Sequence, residues 1–215
     1  LFNKFTPLED QGLQRRIQSL LDRCGFRSQG IFVMDGSRRS GHGNAYFTGL
    51  GKNKRIVLFD TLLSTLEGAE IEAVLAHDLG HFKRKLVLKR RLTMMLASLA
   101  GLALLGWLST QTWFYQGLGV QQASNHSALL LFLMVVPVFS VFMQPLASWF
   151  SRKHEFEADD YAAAQASAAD LVRALVKMYK ENASTLTPDP LYSAFHDSHP
   201  PAPVRVAHLS AKMTV

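Results

Sequence analysis

Hydrophobic residues in the first part of the chain follow a helical spacing and then a strand-like one. Five of them predict an amphipathic helix over 8–24, ended by Gly25: Leu8, Leu13, Ile17, Leu20 and Leu21. Short apolar runs bounded by turn-forming residues then predict about three strands, at 31–34, 44–50 and 55–59. The stretch 51–54 suits a hairpin connection between the last two. A small sheet beside one helix is therefore predicted.

A second helical pattern extends from about Gly68 to Arg90. Apolar residues recur there at spacings of three and four: Ile71, Val74, Leu75, Leu79 and Phe82. The same stretch contains His77 and His81, so two imidazoles share one helical face, one turn apart. Such a pair can bind one tetrahedral Zn²⁺, although two packed or solvated histidines would give the same pattern.

The middle of the chain is strongly apolar. No Asp, Glu, Lys or Arg occurs within 92–151. Two segments, about 92–108 and 128–150, approach the ~20 residues that a membrane-spanning helix needs. A buried helical hairpin of a soluble protein is the alternative, but its outer faces would normally carry charges. A transmembrane helical hairpin is therefore predicted for 91–150.

Charges are concentrated on both flanks of this apolar run. Six basic residues lie within Lys83–Arg91, Arg152 and Lys153 follow the run, and the formal net charge is +6. A basic cluster can bind nucleic acid, but beside an apolar run lipid headgroups are the better partner, so no nucleic-acid partner is expected. The positive-inside rule places both flanks on the cytoplasmic side. The single cysteine, Cys24, excludes an internal disulfide and a multi-cysteine zinc site.

A third metal ligand is expected beyond the apolar run. Glu155 and Asp159 are four residues apart, hence on one helical face. Glu155 could reach a metal held by the histidine pair, while Asp159 hydrogen-bonds one of the ligand histidines. Glu157 lies on another face and is the poorer candidate. Solvated carboxylates would give the same local pattern, but the matching histidine pair favours a metal site.

Several motifs resemble the integral-membrane zinc metallopeptidases of the type I CAAX prenyl protease kind, with HtpX-like membrane proteases as more distant relatives. The resemblance covers essentially the whole chain. Its motifs are Asn44–Gly49, Lys54–Leu63, the histidine pair, Ser151–Asp159, Asp189–Ser193, and Ser198–Pro201 leading to Arg205. The family's remaining transmembrane helices lie upstream. A chain that begins Leu1-Phe2-Asn3, without an initiator Met or a signal peptide, is accordingly interpreted as a fragment.

The resemblance implies roles for residues outside the metal site. An extended substrate would pair with the strand around Asn44, Ala45 and Tyr46, a β-augmentation mode, with an ordinary hairpin strand as the alternative. His199 and Arg205 match family positions near the active site, where they would steady the developing oxyanion or orient the substrate. A proline-ordered tail is the alternative for these two residues.

One residue departs from the family pattern His-Glu-x-x-His, because this chain has Asp78 in place of the Glu. That Glu polarises the attacking water and passes its proton to the leaving amine, and Asp is one methylene shorter. A misplacement of about 1 Å can cost ~10²-fold in rate. Zinc binding by His77, His81 and Glu155 is therefore expected to survive while turnover is reduced. A catalytically weakened or inactive zinc-binding scaffold is the first alternative, and a channel component with incidental histidines is the second.

The predicted fold is α+β and mainly helical, a zincin-like metallopeptidase domain with a small sheet, interrupted by the transmembrane hairpin. Residues 1–90 would form the first half of the catalytic domain, with the sheet and the histidine-pair helix. Residues 91–150 would form the hairpin, and 151–215 the second half, with the third zinc ligand and a tail on the substrate side.

The predicted function is that of a multi-pass membrane metalloendopeptidase with Zn²⁺ as its cofactor. It would hydrolyse peptide bonds of membrane or lipid-modified proteins, prenylated ones included, by zinc-activated water. The lipid bilayer is the other expected partner, and the oligomeric state is left open. The catalytic domain is expected to face the cytoplasm, with the bacterial inner membrane preferred over an organelle membrane.

Overall fold

The computed structural model describes residues 3–49, 54–83, 86–181 and 185–213. The strands of its sheet are β1 (Phe5–Pro7), β2 (Ile31–Met34), β3 (Ala45–Thr48) and β4 (Arg55–Phe59). Their order is β1-β2-β4-β3, with β2 and β4 parallel and the other two pairs antiparallel. The rest of the described chain is mostly helical, which confirms the predicted fold class.

The sheet has one strand more than the sequence predicts. β1 is three residues long, fully exposed and ended by Pro7, so it shows no alternation of apolar and polar residues. It pairs antiparallel with β2, where Thr6 lies opposite Val33. The predicted hairpin connection over 51–54 lies outside the described residues except for Lys54.

The first helix, α1 (Gln11–Arg23), matches the predicted amphipathic pattern. The Asp10 side chain caps it by accepting hydrogen bonds from the backbone N–H groups of Gly12 and Leu13. Its apolar face is buried in the core: Leu13, Ile17, Leu20 and Leu21. Gly25 follows at φ +61°, a left-handed conformation that glycine adopts without steric cost and that ends the helix.

The remaining helices are α2 (Asp60–Thr65), α3 (Gly68–Lys83), α4 (Leu86–Leu108), α5 (Thr112–Gly117), α6 (Asn125–Gln165), α7 (Ala168–Glu181), α8 (Pro190–His196) and α9 (Ala202–Met213). The predicted helix over 68–90 corresponds to α3 as far as Lys83 and to the start of α4 from Leu86, and residues 84–85 between them lie outside the described residues. The proline-rich tail contains two short helices, α8 and α9. Pro190 opens α8 at its first turn, where a missing N–H costs nothing.

Among the described residues, two helices are long and apolar enough to cross a membrane: α4 from Arg91 to Leu108, and α6. Their large apolar side chains are mostly exposed, for example Leu102, Val138 and Phe142. α6 passes through Pro137 and Pro145 without ending and continues to Gln165. The apolar segment and the residues that follow it are therefore one continuous helix.

Helices α3 and α6 pack closely, and this contact determines where the chemistry lies. A Cβ atom at Gly80 would lie 3.0 Å from Ala158 Cα and 3.1 Å from Tyr161 Cβ. A larger residue would push the helices apart, so the glycine sets their spacing. Ile71, Leu75 and Leu79 of α3 are buried beneath this contact. The helical turn that carries the histidine pair is thereby held against the turn of α6 that follows the apolar segment.

Candidate active site

His77 and His81 face Glu155 across the contact between α3 and α6. The Nε2 atoms of the two histidines are 3.2 Å apart. His77 Nε2 lies 3.5 Å from Glu155 Oε2, and His81 Nε2 lies 3.2 Å from Glu155 Oε1. One potential ligand atom from each of the three residues lies within 4.8 Å of those of the other two.

These separations suit a tetrahedral metal ion. Zinc bonds histidine and carboxylate atoms at about 2.0–2.1 Å, so two ligands of a tetrahedral ion lie about 3.3 Å apart. Glu155 Oε2 is also a buried acceptor without a hydrogen bond among the described residues. His199 Nδ1 lies 3.0 Å from this oxygen, but a short distance does not by itself make a hydrogen bond, and the geometry of this contact is not that of one. A buried acceptor beside two imidazole nitrogens fits a cation.

Asp159 lies behind His77 and is completely buried. Its Oδ1 is 2.8 Å from His77 Nδ1, which leaves Nε2 of that histidine facing Glu155. Burial lowers the pKa of His77, but the neighbouring carboxylates of Asp159 and Glu155 outweigh it and raise the pKa to about 9. Asp159 therefore lies next to His77, on the face of α6 that also carries Glu155.

Arg205, from α9, makes a two-pronged ion pair with Asp159. Its Nη2 donates to Oδ1 at 2.6 Å and its Nε to Oδ2 at 2.9 Å. The guanidinium is buried, and its Nη1 is 3.6 Å from Glu155 Oε2. The structure thus places Arg205 within reach of Glu155 and in direct contact with Asp159, the residue that orients His77.

His199 precedes α9 and stands at the entrance of the site. Its side chain is 63% exposed, and its Nδ1 is 3.0 Å from Glu155 Oε2. His199 also lines a cavity of about 630 Å³, together with Tyr179, Tyr192 and Asp197 among other residues. Of the two tail residues predicted near the site, His199 is therefore solvent-accessible and Arg205 is internal.

Asp78 lies in the turn between the two histidines and lines a groove of about 800 Å³ together with His81. Burial raises the pKa of Asp78 to about 6, against the lowering effect of the nearby His77 and His81. Asp78 therefore borders the same groove as His81, one of the three proposed metal ligands.

Strand β3 forms a wall of that groove. It pairs with β4 on one side, and no described strand pairs with its other side. Ala45 and Tyr46 line the groove, whereas Asn44 lies just before the strand, where its carbonyl accepts the Phe59 N–H at 3.0 Å. Two of the three residues predicted to bind substrate thus line the groove, and the third, Asn44, directly precedes them in the chain.

Sequence reasoning did not predict two features of this site. It gave no reason to pair Arg205 with Asp159, which are 46 residues apart in the chain. It also did not identify Phe26, Lys54 and Phe82 as residues of the groove. The hydrophobic spacing of Phe82 was visible, but it indicates a buried helix face as readily as a groove.

Two histidines one helical turn apart, an acidic residue between them and a glutamate from a second helix are the arrangement typical of metallopeptidases. The comparison with known families agrees, since the model for Peptidase family M48 matches residues 7–213. The chain belongs to this family.

Relatives named CAAX prenyl protease 1 match nearly the whole chain. The protein of that name from Saccharomyces cerevisiae is 39% identical over 97% of this chain, and the Arabidopsis thaliana homolog is 40% identical over 94%. The crystal structure of Ste24p from S. mikatae superposes with a TM-score of 0.88, is 40% identical and covers 97% of this chain. The chain spans about half the length of these proteins: 50% and 48% of the two sequences and 52% of the crystallised chain.

Proposed function

We propose that this chain forms the catalytic part of a zinc-dependent membrane endopeptidase that cleaves membrane or lipid-modified proteins of the CAAX type. The observation that carries the proposal is the cluster of His77, His81 and Glu155, whose facing atoms are separated by 3.2 to 3.5 Å. The printed name of the relatives, CAAX prenyl protease 1, supplies the proposed substrate class, with prenylated substrates included.

The three ligands would hold the metal, and a zinc ion bound there would lower the pKa of water toward about 7 and polarise the scissile carbonyl. Asp159 accepts from His77 Nδ1 and so keeps Nε2 of that histidine available as a ligand. Arg205 neutralises Asp159 inside the protein, where an unpaired carboxylate would be costly. The buried pair therefore fixes the orientation of one ligand.

The chemical step needs a group that accepts and returns a proton, and Asp78 is the proposed general base. It would take a proton from the attacking water and pass it to the leaving amine. His199, exposed at the entrance, would donate a hydrogen bond to the oxyanion that develops on the scissile carbonyl. The substrate would lie extended against the free edge of β3, next to Ala45 and Tyr46.

We further propose the division of the chain into two catalytic halves, about 1–90 and 151–215, joined by a transmembrane hairpin over 91–150. The exposed apolar surfaces of α4 and α6 support the hairpin. Basic residues on both flanks favour a cytoplasmic catalytic domain. The lipid bilayer and a peptide substrate are the proposed partners, without a nucleic acid. The bacterial inner membrane stays a prediction.

The test of the function is hydrolysis of a fluorogenic peptide by the chain reconstituted in lipid nanodiscs. Activity is expected to disappear with a chelator and to return when Zn²⁺ is added. Glu155→Ala should show no activity under the same conditions, and it is the matched control for a contaminating protease. Activity that resists chelation, or that Glu155→Ala retains, would contradict the proposal.

The membrane topology can be tested by cysteine labelling. With the buried Cys24 replaced by Ser, single cysteines at Gln121 and Lys153 are expected to react from opposite sides of sealed vesicles. Lys153 is preferred to Arg152, because the Arg152 guanidinium donates to the carbonyl oxygens of Ser193 and Asp197. Labelling of both positions by an impermeant reagent from the same side would refute the hairpin.

A second candidate function is a zinc-binding scaffold without peptidase activity, and Asp78 is the observation that favours it. A scaffold would bind zinc and cleave no peptide, and Asp78→Glu would leave it inactive. The peptidase proposal expects measurable cleavage by the chain as it stands, and more by Asp78→Glu.

A further inference from the structure

His199 lies in a short connection between two helices, and packing does not hold its side chain. α8 ends at His196 and α9 begins at Ala202. The imidazole between them is 63% exposed, although its Nδ1 lies 3.0 Å from Glu155 Oε2. An exposed side chain keeps a defined position only if the backbone that carries it is fixed. The contacts of this connection therefore decide whether the imidazole stays beside the candidate metal site.

Arg152, on α6, binds the backbone that precedes His199. Its Nη1 donates to three carbonyl oxygens at the end of α8 and just after it: Asp197 at 2.9 Å, Ser193 at 3.1 Å and Ala194 at 3.3 Å. The last carbonyls of a helix have no partner within it, and a guanidinium is a strong donor to them. One turn earlier on α6, Ser148 Oγ donates to the Phe195 carbonyl oxygen at 3.0 Å. The chain is therefore fastened to α6 up to two residues before His199.

Tyr179, on α7, binds the backbone that follows His199. Its hydroxyl donates to the carbonyl oxygen of Pro200 at 3.4 Å. Pro200 is buried and directly follows His199, whose backbone it restricts to extended conformations. Tyr179 and His199 also line the same cavity. Carbonyl groups on both sides of His199 are thus held by side chains, one from α6 and one from α7.

Both sets of hydrogen bonds start from helices that frame the candidate metal site. Arg152 lies three residues before Glu155 on α6, so the two residues are neighbours on one helix. Tyr179 lies on α7, which packs against α3, the helix of the histidine pair. The backbone around His199 is therefore fixed relative to the same helices that carry the proposed ligands.

We infer that Arg152 and Tyr179 are positioning residues, which hold the backbone on both sides of His199 and so place its imidazole where the oxyanion develops. The inference rests on the proposed peptidase function and on the role proposed there for His199. Each residue acts through His199 and not on the reacting atoms. A bond to the oxyanion forms only in the transition state, so its loss lowers kcat and leaves KM unchanged.

The test measures kcat and KM for a fluorogenic peptide with the zinc-loaded chain in lipid nanodiscs. Arg152→Gln is expected to lower kcat by about ten- to a hundredfold, the cost of a group misplaced by about 1 Å. Tyr179→Phe removes one neutral hydrogen bond and should lower kcat by about three- to tenfold. Arg152→Lys should recover part of the loss, because an ammonium group still donates but lacks the planar fork of the guanidinium. KM should stay the same in all three variants.

A double-mutant cycle separates positioning from a general effect on the fold. His199→Ala alone should lower kcat by about 10²–10³-fold, as for the loss of one oxyanion donor. In that background Arg152→Gln and Tyr179→Phe should each cost less than about threefold, because the group that they position is gone. Residues that only support the fold would cost the same in both backgrounds.

Two control variants match the changes and should leave kcat unchanged. Lys153→Gln removes the exposed basic residue next to Arg152. Tyr115→Phe removes a hydroxyl that also donates to a backbone carbonyl, that of Ser109 at 2.8 Å, in the connection that follows α4.

Zinc content and melting temperature are measured for every variant. If Arg152→Gln alone loses zinc or unfolds, Arg152→Lys and Tyr179→Phe decide the question. Equal losses with and without His199, a higher KM at constant kcat, or loss of zinc from all three variants would overturn the inference. Absence of chelator-sensitive cleavage by the unchanged chain is a separate outcome, which refutes the proposed function and the inference with it.

Discussion

Glu155→Ala is expected to lose the bound metal, and His81→Ala to lose it as well. The chain as it stands should contain about one zinc ion, held by two histidines and one glutamate. Each of these side chains supplies an atom within 3.5 Å of another ligand, so removing one leaves only two. Elemental analysis of purified protein measures the occupancy, and full occupancy in either variant would refute the assignment.

Two further variants make this experiment selective. Glu157→Ala, two residues along α6 from Glu155, should keep its zinc and so controls for the loss of a carboxylate from that helix. Asp159→Asn should weaken zinc binding by a smaller factor, ~10–100-fold, because it orients His77 and is not itself a ligand. Asp159 also pairs with the buried Arg205, so melting temperatures of the same samples must show that the fold is retained.

Asp78→Glu is expected to raise kcat/KM by about ten- to a hundredfold, which is the rate cost of a general base misplaced by about 1 Å. The proposed metal ligands lie on α3 and α6, and Asp78, between the two histidines, lines the groove together with His81. A general base works from about 2.6–3.2 Å, or through a relaying water. A carboxylate that is one methylene longer would close that gap.

The measurement compares kcat/KM at equal zinc occupancy, so that a change in metal content is not mistaken for a change in chemistry. Asp22→Glu is the control, because it makes the same change on the exposed face of α1 and should leave kcat/KM unchanged. A gain of less than about threefold for Asp78→Glu would show that the shorter carboxylate serves as the base without help. The spacing between α3 and α6 would then have to compensate for the shorter side chain of Asp78, by differing from the spacing that suits the Glu of the family pattern.

Local patterns in the sequence were sufficient for the features that depend on one segment. The spacing of His77 and His81 predicted a shared helical face, and the charge-free run predicted two long apolar helices, both of which the structure contains. The burial of Ile17 and Leu20 followed from helical spacing alone. The histidine pair and the buried face follow from the helical period, and the apolar helices follow from the length and composition of one segment.

Features that depend on distant segments could not be predicted in this way. β1 forms because β2 offers it an edge, and its three residues carry no periodic signal. Arg205 pairs with Asp159 only because α9 packs against α6. The extension of α6 beyond the apolar segment also escaped prediction, because a change from apolar to charged residues does not require a helix to end.

The continuity of α6 would set the height of the candidate active site above a membrane that its apolar part crosses. Glu155 follows Phe150, the last residue of the apolar run before Ser151, by five residues, which is about 8 Å along a helix. If the apolar part of α6 crosses the bilayer, the metal site lies within that height of the membrane surface. An extended substrate covers such a height with two or three residues. Bonds close to a membrane anchor would then be within reach, and a distant bond would have to fold back toward the bilayer before it could be cut.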